Sequence, residues 1–146
     1  MKIVIISPGK AHDATVADGI AEFEKRLTAR YKPEWVFPKP GSIEDEAGAI
    51  FKNIKEGDFV VLLDERGKTV SSADFAKLIE REEQNSKRLV FIIGGAFGVS
   101  GAVKKRASLT LKLSDLVFPH MLVRFIVIEQ LYRASSILSG GKYHHA

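Results

Sequence analysis

The sequence contains no cysteine, which excludes a disulfide framework, a thiol nucleophile and a metal site built from thiolates. This absence is compatible with a reducing compartment, and we expect a cytoplasmic protein. The amino-terminal stretch MKIVIISPGK has only a short apolar run before Pro8, so no signal peptide is predicted. No low-complexity tract or linker interrupts the chain, and one domain over residues 1–146 is expected.

Several common site motifs are also missing. The chain has no GxxxxGK[ST] phosphate loop and no GxSxG nucleophile elbow, and its GGAFG stretch is not the GxGxxG of dinucleotide-binding domains. No metal site is expected, because metal-ligand spacing is absent from the four histidines, His12, His120, His144 and His145. The net charge of +4 is compatible with a polyanionic partner, although alone it identifies none.

Apolar runs alternate with segments of helical periodicity along the whole chain. Strands are predicted over 2–7, 34–37, 59–63, 89–93 and 109–113, and helices over 14–27, 43–54, 72–84, 100–107 and 119–138. The expected helix N-caps are Asp13, Ser42 and Ser72. This alternation predicts an α/β domain with a mostly parallel sheet and helices on both faces. Prolines at 33, 38 and 40 favour an edge position for the second strand.

The last predicted helix is apolar on almost every side. Pro119 suits its first turn, and Gly140 with Gly141 should end it. Because a surface helix normally has one apolar stripe, we expect this one to be covered twice, by the sheet and by a second layer. A partner subunit is the obvious candidate for that layer, which predicts a homodimer.

Charged residues inside this helix have several interpretations. A membrane span is the alternative to a covered helix, but charges at mid-bilayer are costly, so no membrane is expected. Glu129 and Arg133 are four residues apart and form either a helical ion pair or a polar site at a subunit boundary. Arg124 lies on another face and could serve a loop end or a phosphate. The triplet 104–106 is basic and forms either a solvated helix face or phosphate contacts beside a crevice.

Three predicted loops could form a ligand site. In open α/β sheets, ligands bind beyond the carboxyl ends of the strands. The loops that begin at Asp64, span 94–98 and span 114–119 all leave such ends, and they line one crevice if their strands are neighbours. Gly94 and Gly95 would let the backbone approach a ligand closely, although the same pair is also typical of a simple tight turn.

Three motifs carry a resemblance to a known family. The stretches GGAFG, LSDLVFPHMLVRFIVIEQLYRA and GGKYHH resemble the ribosomal RNA large subunit methyltransferase H family, which belongs to the SPOUT class of S-adenosylmethionine-dependent methyltransferases. The KIVIISPGK start and the AEFEKRL helix are also similar, so the resemblance covers essentially the whole chain. Residues 33–57 are the least distinctive part and are short for the family. Departures are minor, at Phe97, Val99 and the terminal Ala146.

The resemblance implies a fold, a reaction and a set of residues. It implies a homodimer with a C-terminal trefoil knot, which methylates N3 of a pseudouridine in large-subunit rRNA, either free or in the assembled ribosome. Family donor-binding positions fall on Leu63, Gly95, Ser114, Asp115, Leu116, Val117, Phe118 and Pro119, with Gly94 adjoining them. The acceptor site of the family is expected across the dimer boundary, and its catalytic positions match Arg133, Tyr143 and His144.

The resemblance also shapes the expected mechanism. His144 or a water molecule would take the proton from N3, and the cationic groups of Arg133, Arg124 and Lys142 would hold phosphates or a developing oxyanion. Two other functions stay open: a module of the same fold that binds RNA or a nucleotide without catalysis, and an α/β enzyme that acts on a small phosphorylated ligand.

Overall fold

The computed structural model describes residues 1–95 and 97–145. Ala96 of the GGAFG motif and the terminal Ala146 lie outside the described residues. The elements are β1 (Ile3–Ile6), α1 (Ala14–Arg26), β2 (Pro33–Val36), α2 (Ile43–Lys52), β3 (Phe59–Lys68), α3 (Ser72–Gln84), β4 (Leu89–Ile93), α4 (Gly101–Arg106), β5 (Leu109–Leu111) and α5 (His120–Leu138).

The strands form one parallel sheet in the order β2-β1-β4-β3-β5. This confirms the predicted α/β class and the parallel sheet. β2 lies at an edge, where proline costs no ladder hydrogen bond. Every residue of β1 and of β4 is buried, which explains why these segments are apolar without alternation.

Helices cover both faces of the sheet, as predicted. On one face, Ile3 and Ile5 of β1 belong to the core that also includes side chains of α1, α3 and α5. On the other, Val4 and Ile6 belong to a smaller core with residues of α2 and α4. Because successive strand residues point to opposite faces, each buried strand anchors both helix layers at once.

The chain itself flanks α5 with two helices. α5 lies against α1 on one side and α3 on the other, and its Val127, Ile128 and Leu131 are buried in the core. Part of the second cover expected for this helix therefore comes from the same chain, while Leu122 stays exposed. Among the described residues, no helix is long and apolar enough to cross a membrane.

The helix ends follow the predicted caps with two corrections. Asp13 accepts from the N–H of Thr15 as expected, whereas Pro119 is the N-cap of α5 and lies one residue before the first turn in which it was predicted. The cap of α3 is Ser71, which accepts from the N–H of Asp74, and the prediction of Ser72 was one residue late. Both residues are serines, so the sequence could not tell which one has the extended backbone that a cap needs.

β3 continues beyond the predicted end at Leu63 and reaches Lys68. Its pairing with β5 shifts register between these two residues, and Lys68 pairs with Leu111. At Gly67 a Cβ atom would lie 2.6 Å from the backbone nitrogen of Leu111, closer than real Cβ atoms come. The close approach of β3 and β5 therefore requires glycine at this position.

Replacing this glycine should loosen the edge of the sheet. We expect Gly67→Ala to lower the free energy of unfolding by about 2 kcal/mol or more, since the added methyl group meets backbone rather than a movable side chain. Gly57→Ala is the matched control, because a Cβ there meets nothing within 4 Å and the change should stay within about 1 kcal/mol. Urea unfolding measures both, and equal effects would contradict the packing argument.

Candidate functional site

A cavity of about 500 Å³ opens at the carboxyl ends of β3, β4 and β5. Its walls come from the three segments that the sequence singled out, here residues 63–66, residues 93–95 with 97 and 98, and residues 111–120 without Asp115, together with Val123 of α5. The strands are neighbours in the sheet, so the loops after them meet. The volume is within the range of small-molecule sites.

The Gly94–Gly98 segment forms a tight turn that is also a cavity wall. Gly95 and Gly98 pair across it, and the N–H of Gly98 donates to the carbonyl of Gly95 over 3.1 Å. A Cβ on Gly95 would lie 2.8 Å from Oε1 of Glu46, which stands behind the turn. The two readings of this glycine pair therefore coexist: the turn is tight, and it brings bare backbone to a cavity.

The segment that follows β5 supplies an apolar wall. Leu116 and Val117 are 72% and 74% exposed, and Phe118 is half-buried. The hydroxyl of Ser114 accepts from the N–H of Leu116 over 3.0 Å, which holds the start of the loop. Asp115 is the one predicted donor-binding residue that does not line the cavity: it is fully exposed and pairs with Lys112, which lowers the pKa of its carboxyl.

The three predicted catalytic residues lie together on the carboxyl-terminal half of α5 and the tail. Arg133 donates to Oε1 of Glu129 over 2.7 Å, and the Tyr143 hydroxyl donates to the same oxygen over 2.9 Å. The guanidinium of Arg133 lies 4.7 Å from the Tyr143 ring centre and 3.1 Å from Nδ1 of His144. Burial, with the hydrogen bond to Glu129, raises the pKa of Tyr143. Glu129 and Arg133 thus form the expected ion pair, and the tail joins it.

We call Glu129, Arg133, Tyr143 and His144 the tail cluster, and this cluster is separate from the cavity within one chain. The cavity reaches α5 at His120 and Val123. Arg133 lies ten residues beyond Val123, a distance of about 15 Å along the helix axis. A substrate bound against the cavity of one chain is therefore out of reach of the Arg133 side chain of that same chain.

Comparison with known proteins shows to which family the chain is similar. Residues 1–144 match the family model described as "Predicted SPOUT methyltransferase". Proteins named ribosomal RNA large subunit methyltransferase H are similar along nearly their full length. The one from Caldicellulosiruptor saccharolyticus is 38% identical in an alignment 152 residues long, which covers 97% of this chain and 99% of the relative. The one from Cytophaga hutchinsonii is 36% identical in an alignment 155 residues long, which covers 99% of this chain and 100% of the relative.

The chain belongs to the ribosomal RNA large subunit methyltransferase H family. A solved structure agrees on the fold: a probable methylase family protein from Haemophilus influenzae Rd KW20 has a TM-score of 0.53 at 14% identity. That alignment covers 94% of this chain and 66% of the neighbour, so it supports the architecture alone.

The sequence analysis located the segment that begins at Asp64 as a cavity wall but gave no role to its charged side chains. Asp64, Glu65 and Arg66 line the cavity, and they belong to β3 rather than to a loop after it. The pairing of β3 with β5 is irregular along this polar stretch, since Leu63 and Lys68 both pair with Leu111, and such an irregularity is not visible in apolar periodicity. Among the described residues, no group of three potential ligands could hold a metal ion.

Of the roles expected for Arg124, the structure shows the contact with a loop end and not the one with a phosphate. It is fully buried, and its guanidinium donates to the Ser7 hydroxyl over 2.8 Å and to the Lys10 carbonyl over 2.9 Å. The guanidinium also lies 4.8 Å from the centre of the Phe37 ring. The expectation that Arg124 holds a phosphate is therefore wrong, because its donors are used inside the protein and fix the loop after β1.

Burial and this cation act together on His12. Burial, then the charge of Arg124, lowers the pKa of His12, and only Glu24 opposes them. The imidazole is therefore neutral at pH 7, and its ring meets Trp35 edge-on with 4.4 Å between centroids. Its Nδ1 is buried without a hydrogen-bond partner in the part of the chain described. The charge of Arg124 thus favours the neutral form of the nearby imidazole.

Loss of the Arg124 guanidinium should destabilise the protein. We expect Arg124→Met to lower the free energy of unfolding by about 3 kcal/mol, because the Ser7 hydroxyl and the Lys10 carbonyl lose a charged donor while most of the side-chain volume is kept. Lys25→Met is the control, since Lys25 is exposed on α1 and should change stability by no more than about 0.5 kcal/mol. An unchanged stability with weaker RNA binding would restore the phosphate role.

Proposed function

We propose that this chain methylates N3 of a pseudouridine in large-subunit rRNA, with S-adenosylmethionine as the methyl donor. The observation that carries the proposal is the cavity at the ends of three neighbouring parallel strands, in a chain whose relatives are named for rRNA methylation. Its residues 1–146 would form one domain that carries the whole activity in the cytoplasm.

The cavity fits the donor chemically. Leu63 and Phe118 offer apolar surface for an adenine ring, and backbone groups at Gly94, Gly95 and Ser114 are available for its polar edge. The absence of side chains at the two glycines leaves the wall open to close contact. When bound, the sulfonium of S-adenosylmethionine supplies an activated methyl group, so the protein mainly has to align the two reactants.

The tail cluster suits the acceptor. Methylation at N3 replaces an N–H bond by an N–CH₃ bond, so a base must take the released proton. His144, or a water molecule beside it, is the acceptor that this cluster offers, and Nδ1 of its ring lies 3.1 Å from the Arg133 guanidinium. Arg133 is positioned by Glu129 to bind a phosphate or a base carbonyl, and Lys142 is exposed beside it in the tail.

A second copy of the chain would complete the site. Around the cavity mouth and on the first turn of α5, four apolar side chains are exposed; we call Phe97, Leu116, Val117 and Leu122 the rim patch. Exposed apolar patches of this kind are typical of protein interfaces. A homodimer through the rim patch would cover it and could bring the partner's tail to the cavity, which the chain's own tail does not reach.

A C-terminal trefoil knot belongs to the same proposal. Family membership supports it, together with the meeting of the segments after β3, β4 and β5 around one cavity. Knotted chains are rare in general, so sequence periodicity alone would never suggest one.

Methyl transfer to ribosomes tests the function directly. Purified protein with methyl-labelled S-adenosylmethionine should label large-subunit rRNA, and mass spectrometry should place the label on one pseudouridine. Free large-subunit rRNA and assembled ribosomes are tested in parallel. Donor binding without any transfer to RNA would contradict the proposal, and RNA binding without donor binding would identify a non-catalytic module. Transfer to small phosphorylated molecules alone would indicate the third function.

A substitution in the tail cluster tests its assignment more sharply. Arg133→Ala should lower the rate of rRNA methylation by about 100-fold, since it removes a cation that binds the target in a partly buried site. The thermal unfolding midpoint checks that the fold survives. Lys87→Ala, which removes one exposed positive charge in the loop between α3 and β4, should retain full activity. Unchanged methylation by Arg133→Ala would overturn the assignment of this cluster.

The rim patch predicts the oligomeric state. Phe97→Glu should raise the dimer dissociation constant at least about tenfold, because it places a charge in the covered patch. Phe51→Glu makes the same change at a residue of α2 that is 39% exposed, against 84% for Phe97, and should leave the dimer intact. Sedimentation equilibrium measures both, and a monomeric wild-type protein would refute the dimer.

A further inference from the structure

The side chain of Asp64 is less exposed than those of the two cationic residues in the same cavity wall, Arg66 and Lys112. Its side chain is 11% exposed, compared with 71% for Arg66 and 25% for Lys112, which line the same cavity. Charge–charge interactions strengthen as water is excluded, so among these three groups Asp64 has the strongest influence on a bound charge.

Among the described residues, the hydrogen bonds of Asp64 leave one oxygen available. The backbone N–H of Arg66 donates to Oδ1 over 2.8 Å, and Nε of Arg66 approaches the same oxygen at 3.4 Å. Both contacts end on Oδ1, and neither reaches Oδ2. Because the Arg66 side chain is mostly in solvent and its contact is long, it only weakly neutralises the carboxylate.

The neighbouring cation is engaged elsewhere. Lys112 pairs with Asp115, which is 89% exposed and lies outside the cavity wall. The wall beside Leu63 therefore presents a mostly enclosed carboxylate, while of the two cationic side chains in the same wall Arg66 is solvent-exposed and Lys112 is already paired. Such a group is costly to bury alone and gains free energy when a ligand brings a positive charge.

The donor of the proposed reaction changes charge when it reacts. Methyl transfer breaks the bond between carbon and sulfur, leaves the electron pair on sulfur and converts a cationic sulfonium into a neutral thioether. The methyl carbon forms its new bond to N3 of the target base, whose proton leaves to a base or to water. S-adenosylmethionine and its product S-adenosylhomocysteine thus differ by one methyl group and one positive charge.

We propose that the Asp64 carboxylate recognises the sulfonium charge and makes the cavity prefer the methyl donor over the spent product. The inference rests on the proposed function and adds a residue that determines cofactor specificity. An anion at this place stabilises the charged donor and has little effect on the neutral thioether, so it also favours release of the product after transfer.

Calorimetric titration of the full-length protein tests this preference. The ligands are S-adenosylmethionine, S-adenosylhomocysteine and sinefungin, which carries an amine near the position of the sulfonium. Asp64→Asn keeps an oxygen that can accept from the Arg66 N–H, and Asp64→Glu keeps the charge. Asp74→Asn makes the same chemical change as Asp64→Asn at an exposed position on α3. The measured quantity is the ratio of product to donor dissociation constants, which does not depend on the folded fraction of a variant.

We expect Asp64→Asn to weaken the binding of S-adenosylmethionine and sinefungin roughly tenfold and that of S-adenosylhomocysteine less than about threefold. Asp64→Glu should retain most of the wild-type ratio, and Asp74→Asn all of it. An equal loss for all three ligands would overturn the proposal, because Asp64 would then serve a group common to them. An unchanged ratio in Asp64→Asn would overturn it as well. Wild-type protein that binds none of the ligands would instead refute the proposed function.

Discussion

The pairing of β3 with β4 on one side and β5 on the other is the constraint on which the site depends. Parallel pairing sends the loops after these strands to one edge of the sheet, and the short contact at Gly67 fixes how closely β5 approaches. The cavity is the space that these loops leave between them. Its shape is therefore set by backbone geometry, and its side chains only determine what it binds.

Much of this architecture could be predicted from the sequence because its signals are local. Runs such as residues 89–93 are apolar without alternation, which indicates a strand buried on both faces, and that is where β4 lies. Periodicity placed all five helices, and the prolines around β2 indicated the edge. The end of β3 and the cap of α3 were misjudged, because a bulge and a choice between adjacent serines depend on tertiary pairing.

The site was less predictable for the same reason. A strand-end rule located the three loops, but it could not show that the polar residues after Leu63 stay in the strand and line the cavity. Nor could it show that Arg124 is enclosed, because a cation in an apolar helix has the same sequence pattern whether it faces a ligand or the loop after β1. The spacing of Glu129 and Arg133 alone indicated that they could pair. The contacts of Tyr143 and His144 with this pair depend on the fold and could not be predicted in that way.

The bonds of Arg124 also bear on how the chain matures. They join α5 to Ser7 and Lys10 across more than a hundred residues of sequence, and β1, which they anchor, stands next to β4 in the interior of the sheet. During synthesis β1 can pair with β2 early, but it lacks β4 until residue 93 has been made, and the loop after it lacks Arg124 until α5 is being made. Long-range closure of this kind slows folding and exposes apolar segments meanwhile. The apolar segments of a nascent chain of this design therefore stay exposed to aggregation until its last helix has been synthesised.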